Sequence, residues 1–277
     1  MPESRSANGG PDLAETGGGY QRLPDYDATR RADPHLCAAL AAQLELAPGR
    51  HYLDVGCGTG NYTLALAALN GQWHGLDASE NMLAHARRKD VESRVIWQVG
   101  SAETRPPAKG RMHGMLVQLV LHHLTDLAAA LSNLAEALRP GGVVLIFTVL
   151  PEQARAHWLA DYFPSMVARD ARALPSLADL DAALPAALTP HAPQAYFVPP
   201  DSQDHYFYSG TQRPEIYLDA RMRQNMSPFR LCAAPEELQS GLARLAADIS
   251  SGAMRTRMAR RHRLGEYCFI KLTKKPV

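Results

Sequence analysis

Four cysteines in 277 residues, scattered at Cys37, Cys57, Cys232 and Cys268, are too few and too far apart to form a disulfide framework or a C-x-x-C metal site. A reducing, cytoplasmic setting fits them. Long apolar runs are missing as well. The stretch from Val143 to Leu150 falls far short of the roughly 20 residues needed to span a bilayer, and Met1 to Gly10 has no apolar run to serve as a signal-peptide core. The expectation is a protein that is neither exported nor integral to a membrane. Nor is there a surplus of one charge. With 29 basic and 28 acidic residues the net charge is +1, which argues against a broad phosphate-tracking surface. What the chain does have is 46% hydrophobic residues and length enough to bury about 70–75% of the surface its unfolded form exposes, in one large domain or a core with a cap.

Residues 1–19 are rich in Gly, Ser, Glu and Pro and offer no periodic apolar face, which reads as a flexible tail. Residues 20–49 read as lid helices, with Leu36, Leu40 and Leu44 on one face and Pro48-Gly49 as the stop. From 50 to 150 strands alternate with helices: His51 to Val55, Gln72 to Leu76, Val95 to Val99, Met112 to Leu121 and Val143 to Leu150 as strands, and Asn61 to Leu69, Ser79 to Arg88 and Leu124 to Leu138 as helices, the last stopped by Pro140-Gly141-Gly142. That rhythm implies a parallel sheet with right-handed crossovers. Over 151–277 seven prolines between Pro164 and Pro200 break the chain. Tyr206, Phe207 and Tyr208 suggest a strand, Glu215 to Gln224 and Pro235 to Ile249 helices, and Tyr267 to Leu272 a closing strand. No internal repeat is visible.

Leu53-Asp54-Val55-Gly56-Cys57-Gly58-Thr59-Gly60-Asn61 falls where the first strand turns into a helix, the place where open parallel sheets bind ligands. Glycines there allow unusual dihedrals and close approach of a ligand to the backbone. A dinucleotide fingerprint would need glycine at position 61, which is Asn61, and no Gly-Lys-Ser/Thr follows to make a P-loop. Asp77, following the second strand, suits a ribose diol. Asp54 would repel a pyrophosphate but attract an ammonium or sulfonium. The blander readings are that Asp54 caps the next helix and that Asp77 caps the helix near Ser79.

The segment resembles the class I S-adenosylmethionine-dependent methyltransferases, in particular the small-molecule, ubiquinone/menaquinone-type group. The resemblance implies a Rossmann-like seven-stranded, mainly parallel α/β sheet with helices on both faces and a helical, aromatic cap. It implies S-adenosylmethionine as cofactor and S-adenosylhomocysteine as product. It places Asp54, Gly56, Cys57 and Gly58 around the methionine part, Asp77 at the ribose, Ala78 and Met82 beside the adenine, Ser101, Ala102 and Glu103 near the adenine amino group, and Gln118 and Leu119 along the pocket. Where relatives open the fourth strand with an aromatic-Asp pair, this chain has Met112 and His113. Tyr26 and Arg30, four residues apart, would close the pocket from the lid, with Tyr20 a further lid candidate.

His122 and His123, after the fourth strand, are candidate general bases, with Tyr26 as a further catalytic candidate; the competing reading makes one histidine a helix cap and the other part of the pocket wall. No third ligand accompanies them, so no metal is expected. Trp158, Tyr162, Phe163, Tyr196, Phe197, Tyr206, Phe207 and Tyr208 either pack the cap or wall an apolar or aromatic acceptor. Arg221, Arg223 and Arg230 either pair with an anionic acceptor or are solvated. Arg255, Arg257, Arg260, Arg261 and Arg263 either touch RNA or are solvated and internally paired. The expected activity is methyl transfer to a small molecule, with no membrane insertion, no broad nucleic-acid surface and a homodimer left open. The rival readings are methylation of RNA or protein, a non-catalytic cofactor-binding regulator, and an NAD-dependent reductase.

Overall fold

The computed structural model describes residues 26–104 and 109–276. The expected flexible tail and Tyr20 lie outside them. Five parallel strands form the centre: β1 (His51–Val55), β2 (Gln72–Asp77), β3 (Val95–Val99), β4 (Met112–Gln118) and β5 (Leu138–Thr148). They are ordered β3-β2-β1-β4-β5, so the direction of winding reverses between β1 and β4. In open sheets ligands bind at such a switch point, beyond the carboxyl ends of the strands.

The order continues through β8 (Tyr267–Lys274), antiparallel to β5, to β6 (Leu188–Pro190) and β7 (Gln194–Tyr196). These two three-residue pieces pair with opposite ends of β8. Their registers differ by one residue, and the His191 N–H bridges the gap by donating to the Lys271 carbonyl. They share a single lane, so the expected seven-lane sheet contains eight strands.

Both faces are packed. Helices α1 (Tyr26–Thr29), α2 (Pro34–Leu44) and α3 (Asn61–Leu69) precede and follow β1. The buried Leu36, Leu40 and Leu44 of α2 join Tyr52, Leu116, Leu145 and Phe147 on one face of the sheet. The opposite face buries Leu53, Met115 and Ile146 against Leu131 and Leu134 of α5 (Leu127–Ala137). Helix α4 (Glu80–Lys89) starts on the Ser79 hydroxyl, which accepts from the Met82 N–H.

Three local expectations are corrected. Tyr206, Phe207 and Tyr208 lie outside any strand, in coil and turn, because their rings point into the cap core and their backbone has no ladder partner. Pro140-Gly141-Gly142 does not stop the helix. α5 ends at Ala137, the strand begins at Leu138, and the three residues form an irregularity within β5, where the register to β4 shifts; Gly141 with φ +74° supplies the backbone freedom. Glu215 to Gln224 is broken at Asp219, whose side chain caps the second piece (Ala220–Gln224).

The cap aromatics resolve toward packing. Trp158, Tyr162, Phe163, Tyr196, Tyr206, Phe207 and Tyr208 are all buried, with edge-on and tilted contacts such as Phe147 to Tyr206 at 6.2 Å and Tyr206 to Tyr267 at 4.7 Å between centroids. Phe197 alone of the eight is exposed, under the Arg261 guanidinium. The arginine run is largely paired: Arg257 with Asp161 and Asp248, Arg260 with Asp161, and Arg261 with Glu266. For these three of the five arginines the internally paired alternative holds.

Candidate active site

The glycine loop joins β1 to α3 directly over the switch point. Gly56, Gly58 and Gly60 all have left-handed backbone, with φ of +69°, +55° and +76°, but only Gly58 has room for a Cβ without a clash. A Cβ on Gly56 would lie 2.4 Å from Val120 Cγ2, and one on Gly60 2.5 Å from the Trp97 ring. Those two glycines are filled against by protein. A Cβ on Gly58 would meet only the Met82 methyl, at 3.5 Å. Gly58 is therefore the position where the backbone lies bare toward a space that a ligand can occupy.

Two acids flank it. Asp77, at the end of β2, accepts from the Gly58 N–H and the Ser79 N–H, each at 2.8 Å. Ser79 supplies the helix cap, so Asp77 is not consumed by capping. Asp54 is 3% exposed and accepts from the Thr63 hydroxyl at 2.5 Å, which places it beneath the loop rather than beside a ligand. Burial, then the nearby Asp77, pushes its pKa up to about 7, against the Thr63 bond. Burial also raises Asp77. The crevice thus carries the Asp77 carboxylate, with Asp54 beneath the loop and, among the described residues, no cationic side chain paired to either; it favours a cation and disfavours a pyrophosphate. Cys57 is driven well above the usual thiol range by burial and these two acids, so it remains a thiol.

Across the switch point, Gln118 ends β4. Its Oε1 is buried with no hydrogen-bond partner among the described residues, an acceptor awaiting a donor. Leu119, next in sequence, has φ +55°, rare for a residue with a side chain and typical of sites that hold strain for a purpose. Met82 reaches Gly58, whereas Ala78 is exposed at the turn. Ser101, Ala102 and Glu103 follow β3 and are tied to Asp77 through the Gly100 N–H, which donates to the Asp77 carbonyl. The Glu103 carboxylate is turned elsewhere. It accepts from the Thr125 and Asp126 N–H groups at 2.6 Å each and from the Thr125 hydroxyl, and although desolvation opposes them, these bonds hold its pKa below the usual range.

His122 and His123 sit on a single turn (Leu121–His123) with ring centroids 4.0 Å apart. Burial, then the neighbouring ring, pushes the His122 pKa down to about 3, and desolvation lowers His123 as well. Both are neutral imidazoles near pH 7, and a conjugate acid as strong as that of His122 gives little driving force for proton abstraction in the free protein.

Tyr26 and Arg30 meet as their spacing implies, with the Arg30 guanidinium 5.5 Å from the Tyr26 ring centre. Arg30 also pairs with the buried Asp204 at 2.6 Å, and Tyr62 donates to the other oxygen of that carboxylate at 3.1 Å. The residue that ties α1 to the glycine loop is one that sequence reasoning missed, Asp27. It accepts from the Thr59 hydroxyl at 2.6 Å and the Asn61 amide at 3.0 Å, and it pairs with Lys89 at 2.7 Å. Burial opposes its ionisation, yet these bonds pull its pKa below the usual range. Asp204 was missed too. Partners 174 and 142 residues away in sequence leave no local signal for it.

The family model for a methyltransferase domain matches residues 53–142. A demethylmenaquinone methyltransferase of Symbiobacterium thermophilum is 34% identical over 108 residues, covering 36% of this chain and 43% of its own length. The O-methyltransferase resE of Aspergillus sclerotiorum is 31% identical over 134 residues, 46% of this chain and 51% of its own. The chain thus spans about half the length of the curated relatives it matches. A solved structure described as a methyltransferase of an antibiotic biosynthesis pathway from Anabaena variabilis superposes with a TM-score of 0.75 at 27% identity, over 88% of this chain and 98% of that one. The strand order, the glycine loop at the switch point and these matches together show that the chain carries the fold of the class I S-adenosylmethionine-dependent methyltransferases.

Proposed function

We propose that this protein transfers a methyl group from S-adenosylmethionine to a small-molecule acceptor. The observation that carries the reading is Gly58, the glycine of the loop beside which only the Met82 methyl stands, set between Asp77 and the unpartnered Gln118 carbonyl. The donor set fits the group: Asp77 would accept from ribose hydroxyls, and Gln118 Oε1 and the negative crevice suit a cationic amino acid part. S-adenosylmethionine, when bound, supplies a methyl activated by its sulfonium. The chain's own residues have the remaining work of alignment and exclusion of water. Gly58 offers bare backbone, Met82 and Leu119 shape apolar walls, and α1 closes over the loop through Asp27. Asp54 positions the loop from below through Thr63.

The half-buried apolar side chains of Leu119 and Val120 beyond the end of β4 support an aromatic or apolar acceptor, and an oxygen nucleophile is compatible with the relatives named as O-methyltransferases. Proton removal belongs to the acceptor's own acidity, because burial leaves His122 too weakly basic.

The test is calorimetric titration of S-adenosylmethionine into the wild-type protein and Gly58→Ala, followed by incubation with labelled cofactor and a metabolite extract with mass-spectrometric readout. The expected result is saturable binding weakened more than tenfold in Gly58→Ala, and labelled product among small molecules. Tight binding with no labelled product would leave a regulator instead of an enzyme; label in RNA or protein would replace the acceptor class.

A further inference from the structure

The amino ends of the same strands carry chemistry that methyl transfer does not use. His74 on β2, His51 on β1 and His113 on β4 occupy one face of three adjacent strands, with His51 6.1 Å from His74 and 6.2 Å from His113 between ring centroids. Around them stand Arg50, Arg111 and Arg139. Among the described residues, the carboxylate recorded against these six is that of Glu45, 3.9 Å from Arg50, and Glu45 also faces Lys271 at 3.6 Å.

The His113 ring is over-supplied with donors. The His51 backbone N–H points at His113 Nδ1 at 3.1 Å, and Arg139 Nη1 lies 2.8 Å from His113 Nε2. Arginine and a backbone amide can only donate, and a neutral imidazole has one acceptor nitrogen. Whichever tautomer forms, one N–H of the ring faces another N–H. Protonating the ring makes both contacts worse. His74 adds a buried Nδ1 without a partner. Burial and the adjacent Arg139 and Arg50 lower the His113 pKa; burial, His51 and Arg111 lower that of His74. The conflict disappears if the exposed Arg139 side chain swings off the ring and an acceptor takes one hydrogen bond from its guanidinium and one from the His113 ring N–H.

We infer that this cluster is an anion site, built for a phosphate group held by Arg139, Arg111 and the His51, His74 and His113 rings, at the end of the sheet opposite the methyl-transfer crevice. Guanidinium forks match the oxygens of a phosphate. Three neighbouring strands span only about 10 Å, room for one phosphate group rather than for a nucleic-acid backbone. A metal is disfavoured by the same geometry, since both His113 nitrogens already face N–H groups, and no cluster of metal-ligating residues is found among the described residues.

The experiment is a titration of the full chain with inorganic phosphate and, separately, with glycerol 3-phosphate, following the Hε1 resonances of His51, His74 and His113 by NMR. Saturable shifts are expected in all three, with a rise in the His113 titration midpoint, since a bound anion stabilises the protonated ring. Arg139→Gln should weaken binding about tenfold while leaving S-adenosylmethionine binding unchanged. Tighter binding of glycerol 3-phosphate would assign the site to a phosphorylated metabolite, and equal binding to the free ion. Absence of saturation by either anion up to about 20 mM, an anion affinity unchanged in Arg139→Gln, or saturation by Zn²⁺ in place of the anions would each overturn the inference. A second variant, Arg111→Gln, guards against a folding defect in the first.

Discussion

The glycine loop is held in two different ways. Its floor, at the strand ends, is held by shape: Val120 fills the space under Gly56, Trp97 fills that beside Gly60, and the Gly56 and Cys57 N–H groups both donate to the Leu76 carbonyl. Its roof, α1 with residues 201–225, is held by polar pairs: Asp27 to Thr59, Asn61 and Lys89, Arg30 to Asp204, the His205 N–H to the Thr29 carbonyl, and Asn225 to the Thr29 hydroxyl. Close packing tolerates no added volume and is indifferent to salt. Polar pairs tolerate volume but fail when one partner is removed. A floor that cannot move under a roof that can be unfastened is a sound arrangement for a site that must admit and release a large cofactor.

The largest effect should come from violating the floor. Gly56→Val places a branched side chain in left-handed backbone against Val120 and is expected to cost about 4 kcal/mol, read by urea denaturation. Gly58→Ala has the same backbone strain without the clash; it should lose only about 1–2 kcal/mol of stability and most of its cofactor affinity. Equal stability losses in the two variants would erase the distinction between filled and bare glycines.

Next comes the roof. Arg30→Ala leaves the Asp204 carboxylate buried without its cation and should destabilise by about 3 kcal/mol; Arg30→Ala with Asp204→Asn should recover much of that in a double-mutant cycle. Asp54 sharpens the contrast through pH. Its folded pKa, about 7, lies above the ordinary carboxylate value, so between about pH 4 and 7 the folded state binds the extra proton. Asp54 therefore opposes folding increasingly as pH rises through that window and ceases to do so as pH falls. Asp54→Asn should flatten that part of the stability profile measured by denaturation at successive pH values. The smallest effect is expected from Asp27→Ala, about 1 kcal/mol globally because its ion pair with Lys89 is partly exposed, but with faster proteolysis ahead of Pro34, read by mass spectrometry of the fragments.

The parts of this architecture that are legible in the sequence are those set by local periodicity. β1, β3 and α3 fall on the residues where the apolar pattern puts them, and the loop between β1 and α3 stands out by its glycines. What is not legible is whatever depends on pairs distant along the chain. Nothing near Asp27 announces Lys89, and nothing in the spacing of Gly56, Gly58 and Gly60 says which of them Val120 and Trp97 will fill. The cap misled for the same reason: Tyr206, Phe207 and Tyr208 have the composition of a strand, but partners on β5 and β8 fix the Tyr206 and Tyr208 rings, and Phe229 meets that of Phe207, while their backbone turns.

The divided lane formed by β6 and β7 also has a bearing on how the protein behaves in company. An exposed sheet edge invites another chain to add a strand. Here that edge consists of two three-residue pieces with Pro190 ending the first and Pro193 just before the second, so it offers neither the length nor the unbroken run of N–H groups that a recruit would need. The edge is closed to polymerisation by its own brevity, and any assembly of copies through strand addition would have to begin at β3, on the other side of the molecule.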